Sequence, residues 1–339
     1  MKPATLKDIA NTLGLSIPTV SKALKDYPDV SQKTKILVKD LAKTLNYQPN
    51  AFAVSLRKSE SKTIGVIIPE TVHHFFSSVL KGIIHKAEKK GYLVIILQSN
   101  ESYTLEKKQI DLLLRSKVDG ILISIANSTS EFKHLTSVIS KNIPLVMFDK
   151  IAKVVSCSKV IINDREAAYR ATTHLIKTGC RKIAHFRGPL MPQNSIDRFL
   201  GYKKALEDHE LAYDPKLVYI CKDMSFDEGK KYAKQLINEH QDVDGIFVNT
   251  DLVAIGAISE LNEQNIKIPE EISIIGFSNW FMSSVISPSL STIDQPGFEM
   301  GKNACKLLLK QIKNEKKNQV FENKIVELKT KLILRSSTL

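Results

Sequence analysis

Ser16, Ile17, Pro18, Thr19, Ser21 and Lys22 stand together near the start of the chain, and their types suit a polyanion better than a reaction. Hydroxyls such as Ser16, Thr19 and Ser21 donate to phosphate oxygens, and Thr5 and Ser31, which begin the neighbouring helices, are taken with them. Ile17, Pro18 and Lys22 fall early in a short helix, where side chains of a DNA reader meet base edges in the major groove. A second set is scattered through the body: Phe75, Phe76, Ser124, Asp149, Arg198, Asn249, Asp251, Ser278 and Trp280. Most of its polar members follow an apolar run, as do Glu70, Asn100 and Asn279, and such strand ends suit hydrogen bonds to a small ligand beside an aromatic face. Arg198 falls early in a helix, where a cation opposes the macrodipole, so it reads as a bidentate ligand clamp and not as a local stabiliser. No P-loop, GxGxxG or GxSxG pattern occurs, so neither a catalytic residue nor a cofactor is named. His73 and His74 are adjacent with no third ligand placed by spacing, so no metal is expected.

The elements that must carry the first set are short helices. Thr5 caps a helix whose apolar stripe is Leu6, Ile9, Ala10 and Leu13, and Gly14 supplies the left-handed residue that ends it. Ser16 caps a second helix with Pro18 in its first turn and Val20 and Leu24 inward. Ser31 caps a third, with Leu37, Val38, Leu41, Ala42 and Leu45 expected inward. The spacing fits a helix-turn-helix, against the plainer alternative of a generic three-helix bundle. Residues 1–62 hold 11 Lys and Arg against 5 Asp and Glu, a surplus of six out of the chain's thirteen. That concentration of charge in one short segment is the footprint of a polyanion-binding module.

The stretch "PNAFAVSLRK" follows. Pro49 and Asn50 signal a helix start, yet the segment is too short to hold a helix alone in water. From Thr63 onward, β-type runs such as "TIGVIIPE", "VDGILISI", "KIAHFRG" and "ISIIGFSN" alternate with amphipathic helices, which argues for parallel sheets covered on both faces. Val118-Asp119-Gly120-Ile121 recurs as Val243-Asp244-Gly245-Ile246, each time between a helix and a strand. Two similar α/β lobes facing across a cleft are the simplest account.

The totals exclude other classes. An apolar share of 43% and a charged share of 25% are ordinary for a globular protein, and no apolar run reaches the length of a membrane span. Cys157, Cys180, Cys221 and Cys305 are widely separated, so they read as reduced thiols of a cytoplasmic protein.

Together, "TLKDIANTLGLSIPTVSKAL", "DVSQKTKILVKDLAKTLNYQPNAFAVSLR", "TIGVIIPE", "VDGIL", "GCRKIAHFRGP", "VNTDLVAIGA", "IPEEISIIGFSN", "SPSLSTIDQP" and "LILRSST" are specific. By them the chain resembles the lactose-repressor/galactose-repressor (LacI/GalR) family of bacterial transcription regulators along essentially its whole length. The resemblance implies an all-α helix-turn-helix headpiece over 1–48, a hinge helix and linker over 49–61, and a core over 62–339. That core would be two doubly wound parallel-sheet lobes like a periplasmic binding protein: about 62–162 with 296–325, and about 163–295 with 326–339. It further implies a homodimer on double-stranded operator DNA, with operator affinity controlled by a sugar-like effector between the lobes. In the hinge, Leu56 matches the residue that wedges between base pairs and Arg57 a basic position beside that groove. Asn50 and Ala53 are grouped with them as DNA-facing, and Phe52 has no assignment. Arg198 and Asp251 match effector contacts. Many relatives carry aspartate at Ser278, so the effector of a relative does not transfer, and Trp280 offers a stacking surface instead. The chain closes without a leucine heptad, so a dimer is expected and not a tetramer. The alternatives are a solute-binding component without a DNA role, a corepressor-type regulator answering a purine or nucleoside, and an enzyme of the same fold. The absent signal peptide and basic headpiece oppose the first, and no nucleophile or acid–base group supports the last.

Overall fold

The computed structural model describes residues 4–47, 60–71 and 74–339. Two compact units result, Met1–Lys62 and Thr63–Leu339. The expected hinge candidates Asn50, Ala53, Leu56 and Arg57, and also His73, lie outside the described residues.

The first unit contains helices α1 (Leu6–Leu13), α2 (Ile17–Ala23) and α3 (Gln32–Thr44). Each begins where its cap was read. Thr5 and Asp8 form a reciprocal capping box, Ser16 accepts from the Thr19 amide, and Ser31 accepts from the Thr34 amide. Gly14 ends α1 in the left-handed region with φ 62°, which turns the chain tightly into α2. Ile9, Ala10, Val20, Ala23, Val30, Val38 and Ala42 form the core. Two expected core residues are misplaced: Leu37 is 51% exposed and Leu45 is 37% exposed. Three helices this short close around only one stripe of α3, that of Val38 and Ala42, and leave its flanks uncovered.

In the second unit, two six-stranded sheets have the orders β11-β5-β4-β3-β1-β2 and β12-β10-β9-β8-β6-β7. The first holds β1 (Thr63–Ile68), β2 (Leu93–Gln98), β3 (Gly120–Ile123), β4 (Leu145–Phe148), β5 (Ser158–Ile162) and β11 (Ile325–Leu328), all parallel. The second holds β6 (Ile183–Arg187), β7 (Val218–Ile220), β8 (Gly245–Val248), β9 (Ser273–Ser278), β10 (Ser291–Asp294) and β12 (Lys331–Ile333), with β12 antiparallel at one edge. The recurring tetrapeptide marks the same place in both. Asp119 donates its amide to the Thr63 carbonyl at 2.8 Å and Asp244 donates to the Lys182 carbonyl at 3.1 Å, tying β3 and β8 to their neighbours.

Alternation along the strands feeds two layers. Ile64, Val66 and Ile68 face α4 (His74–Glu88) and α11 (Gly297–Glu315), whereas Ile67 faces α5 (Tyr103–Arg115) and α6 (Lys133–Ser140). In the second sheet Phe247 faces α7 (Asp164–Lys177) and α8 (Gln193–Asp208), while Ile246 and Val248 face α9 (Phe226–Glu239) and α10 (Asp251–Glu263). The chain crosses between sheets after β5, after β10 and after β11. The lobe boundary expected between 325 and 326 therefore moves, because β11 pairs with β5 and the last crossing falls after Leu328.

Helices α4 and α11 approach at glycines. A Cβ on Gly301 would lie 1.9 Å from the Val79 carbonyl oxygen, and one on Gly82 would lie 2.1 Å from that of Phe298. Backbone cannot yield as a side-chain tip does, so Gly301→Ala is expected to cost about 1–3 kcal/mol of stability. Urea unfolding of the full chain checks this; an unchanged midpoint would show that the crossing is looser than described.

Candidate functional site

In both sheets the strand order reverses beside the first strand, between β1 and β3 and between β6 and β8. Helices leave to opposite faces at such a point, so the carboxyl ends of the strands open a crevice. The two crevices face each other across a cavity of about 340 Å³. One wall carries Glu70, Phe75, Phe76, Asn100, Glu101, Asn127, Asp149 and Lys150, which follow β1 to β4. The other carries Asn194, Ser195, Arg198, Asn249, Asp251, Ser278, Trp280 and Gln295, which follow β6 to β10.

Eight of the nine sequence candidates thus come together. Ser124 does not: it is fully buried behind the wall, where its hydroxyl accepts from the Lys150 amide at 3.4 Å. A strand-end serine one residue too deep caps the next loop and never reaches the cavity. Asn279 is also turned away, donating to Asp294 at 2.9 Å and accepting from Arg335 at 2.7 Å.

Asp251 is 1% exposed, and its carboxylate already accepts from the Trp280 amide at 2.7 Å, the Ser283 hydroxyl at 2.8 Å and the Thr292 hydroxyl at 2.6 Å. Its work in this structure is to anchor the loop that presents Trp280 to the cavity. Burial pushes its carboxyl above the usual range, and those three bonds oppose the shift. Ser278 donates to Gln295 Oε1 at 2.9 Å from a backbone with φ 120°, a region that side-chain-bearing residues rarely occupy.

Arg198 has local partners that the sequence reading denied it. Its Nε donates to Asp164 Oδ1 at 2.8 Å, its Nη1 donates to the Asn249 carbonyl at 2.8 Å, and its Cζ lies 3.6 Å from the centre of the Phe277 ring. Asp164 was missed because it follows β5, whose opening residues Ser158 and Lys159 hide a buried strand behind polar letters. Burial pushes Asp164 up to about 7 even with Arg198 beside it, and also raises Asp149. Lys150 is held by Glu101 and by Asn127 Oδ1, and Glu101 in turn accepts from the Asn127 amide at 2.6 Å.

Several residues that line the cavity carry buried groups without partners. Ser195 Oγ, Asn249 Oδ1, Thr250 Oγ1 and Gln295 Nε2 are buried without a hydrogen bond, and their residues all line it. Gly188 makes room for two of them, since a Cβ there would lie 2.5 Å from Asn249 Nδ2 and 3.0 Å from Ser195 Oγ. Unsatisfied buried groups are costly, and four at one cavity are what a hydrogen-bonding ligand would satisfy. At the mouth, His74 from one wall meets the Phe281 ring from the other, with centroids 6.4 Å apart. Among the described residues, no cluster of three or more His, Cys, Asp or Glu is arranged to hold a metal, and no helix is long and apolar enough to cross a membrane.

In the first unit, Ile17 and Pro18 are exposed in the first turn of α2, with Ile17 at 45%, whereas Lys22 is exposed in its last turn and not early in the helix as expected, because α2 ends at Ala23. Ser21 and Thr19 are half-buried, and Thr5, Ser16 and Ser31 are exposed but engaged as caps, Ser16 lying 2.8 Å from the Thr19 hydroxyl. Lys22 makes an ion pair with Asp29.

Known proteins give this arrangement its place. Residues 5–50 match a family model described as bacterial regulatory proteins, lacI family, and residues 172–338 match a periplasmic binding protein-like domain. The chain is 32% identical over 334 residues to the ribose operon repressor of Halalkalibacterium halodurans, spanning 98% of this chain and 97% of that one. It is 34% identical over 318 residues to the HTH-type transcriptional repressor CytR of Escherichia coli K12, spanning 92% and 91% respectively. A solved lac repressor dimer bound to operator and the anti-inducer ONPF is similar over 100% of both chains, with a TM-score of 0.86 at 25% identity. The chain belongs to the lacI family of bacterial regulatory proteins and is a DNA-binding regulator of transcription.

Proposed function

We propose that the protein is a cytoplasmic repressor that grips operator DNA as a homodimer and is controlled by a small neutral polyhydroxylated ligand in the cleft. The observation that carries the ligand half is the set of four unpartnered buried groups at Ser195, Asn249, Thr250 and Gln295. Two are hydroxyls that both donate and accept, one is an amide oxygen that accepts and one an amide nitrogen that donates, a mixture that suits ligand hydroxyls. Phe75, Phe76 and Trp280 supply apolar faces for the C–H side of a sugar ring. A cavity of about 340 Å³ lies at the small end of ligand pockets, which favours a pentose, a hexose or a nucleoside.

For DNA, the reading rests on the exposed start of α2 and the basic surplus of the first segment, with Ile17, Pro18 and Lys22 toward bases and Ser16, Thr19 and Ser21 toward phosphates. For the dimer, it rests on exposed apolar positions in both lobes: Leu93 at 65% and Ile96 at 39% on edge strand β2, and Phe281 at 58% and Val285 at 65%. A ligand that prefers one arrangement of the lobes shifts the population toward it, and the operator affinity follows.

Two outcomes check this. In a thermal-shift panel of neutral pentoses, hexoses and nucleosides, at least one compound raises the melting temperature with its concentration. Arg198→Ala weakens that compound by about tenfold or more while DNA affinity stays within about twofold; an equal response in the variant removes Arg198 from the cleft's work. On DNA selected from a random library, affinity falls steeply with salt, and Leu56→Ala lowers it by about tenfold or more. Indifference to salt would refute the proposed DNA contacts, and an unchanged Leu56→Ala variant would refute the wedge role of Leu56.

A further inference from the structure

Both buried cations of the cleft already have their charges answered. Lys150 is paired with Glu101, and Arg198 with Asp164, the latter pair with side chains only 4% and 9% exposed. The pairing also breaks up the guanidinium fork. Recognition of a carboxylate or phosphate uses two adjacent N–H groups of arginine, but here Nε is taken by Asp164 and Nη1 is shared with the Asn249 carbonyl. The remaining N–H of Nη1 and the two of Nη2 can still donate to a ligand, but the charge behind them is already answered by Asp164. Asp149, 8% exposed on the opposite wall, places a second carboxyl beside the same space.

We propose that Asp164, by holding Arg198 from behind the cleft, sets the charge of the ligand: neutral hydroxylated compounds are accepted, and sugar phosphates and sugar acids are refused. This rests on reading the cleft as the ligand site. Asp164 is a positioning residue, since it acts through Arg198 and does not line the cavity. An anion entering with Asp164 ionised would meet that carboxylate and the Asp149 carboxyl, while the guanidinium and the Lys150 ammonium are each already paired. With Asp164 neutral, the charge of Arg198 becomes available to it.

The groups facing Asp164 are Arg198 and Asp197 from α8 and Asp149 after β4, with Lys150 and Glu101 beside Asp149. Burial holds Asp164 up to about 7. Its charge is therefore present well above neutrality and lost as the pH falls through that value, so the exclusion of anions weakens on acidification.

The probe is sulfate, whose charge is constant over the range used. Melting of the full chain is followed in sodium sulfate and in sodium chloride at matched ionic strength, at about pH 8.5 and about pH 5.5. Sulfate also stabilises proteins generally by exclusion, so each shift is read against the Asp164→Asn/Arg198→Gln double variant. At the higher pH the wild type is expected to show no sulfate-specific gain over the double variant. Asp164→Asn should show one, with an affinity on the order of tenfold tighter. At the lower pH the wild type should gain it too. A gain already present in the wild type at high pH, or none in Asp164→Asn, overturns the proposal. If Asp164→Asn does not fold, the two wild-type arms decide, and a sulfate response independent of pH overturns it. Failure of the cleft reading itself shows separately, as neutral sugars that leave the melting temperature unmoved while the sulfate arms behave as described.

Discussion

A guanidinium that is 3% exposed has to find its partners inside the protein, and Arg198 finds them on segments far apart in the chain. Asp164 opens α7 just after the chain leaves the first sheet, Asn249 ends β8, and Phe277 lies at the end of β9 beneath the charge. Removing one partner of such a pair leaves a buried charge uncompensated, so the arrangement constrains each of these segments at once. It also fixes what the cleft can offer a visitor. Hydrogen bonds remain, whereas free positive charge is mostly spent.

The same economy runs through the other wall-forming residues. Asp251 uses its carboxylate on Trp280, Ser283 and Thr292, and thereby delivers an aromatic ring to the cavity. Glu101 clamps both Lys150 and the Asn127 amide. These acids act as fasteners for the loops at the cavity, whose residues also carry neutral groups without partners. A rigid frame of this kind lets loop residues differ among relatives while the two-sheet scaffold is retained.

Local signals were legible where local physics decides. The caps Thr5, Ser16 and Ser31 and the left-handed Gly14 sit where their chemistry requires, because a helix end depends on a few adjacent residues. The polar residues after β4, β8 and β9 reached the cleft because the topology, already readable from the alternation of strand and helix, sends strand ends there. What failed was decided by contacts far along the chain. Leu37 and Leu45 look like core letters, yet a small three-helix unit has no second layer to cover them. Ser124 looks like its neighbours at strand ends but sits one step too deep. The strand Ile325–Leu328 straddles the boundary expected between 325 and 326, and only its pairing with β5 places it in the first sheet. Asp164 had no signal of its own, since its meaning comes from an arginine 34 residues on.

The close crossing of α4 and α11 joins the beginning of the core to its end. Met300, Ala304, Leu308 and Ile312 share one apolar cluster with Val79 and Ile83. During synthesis the first sheet therefore emerges early but has only α4 on one face until the ribosome has made α11. The second sheet has α7 to α10 beside it in sequence and needs no such wait for its helical layers. Contacts of such long sequence separation form slowly and leave apolar surface open meanwhile. The order of assembly thus differs from the order of translation: the lobe begun first still waits for α11 after all four helices of the second have been made, and a chain cut short before α11 has α4 alone on one face of its first sheet.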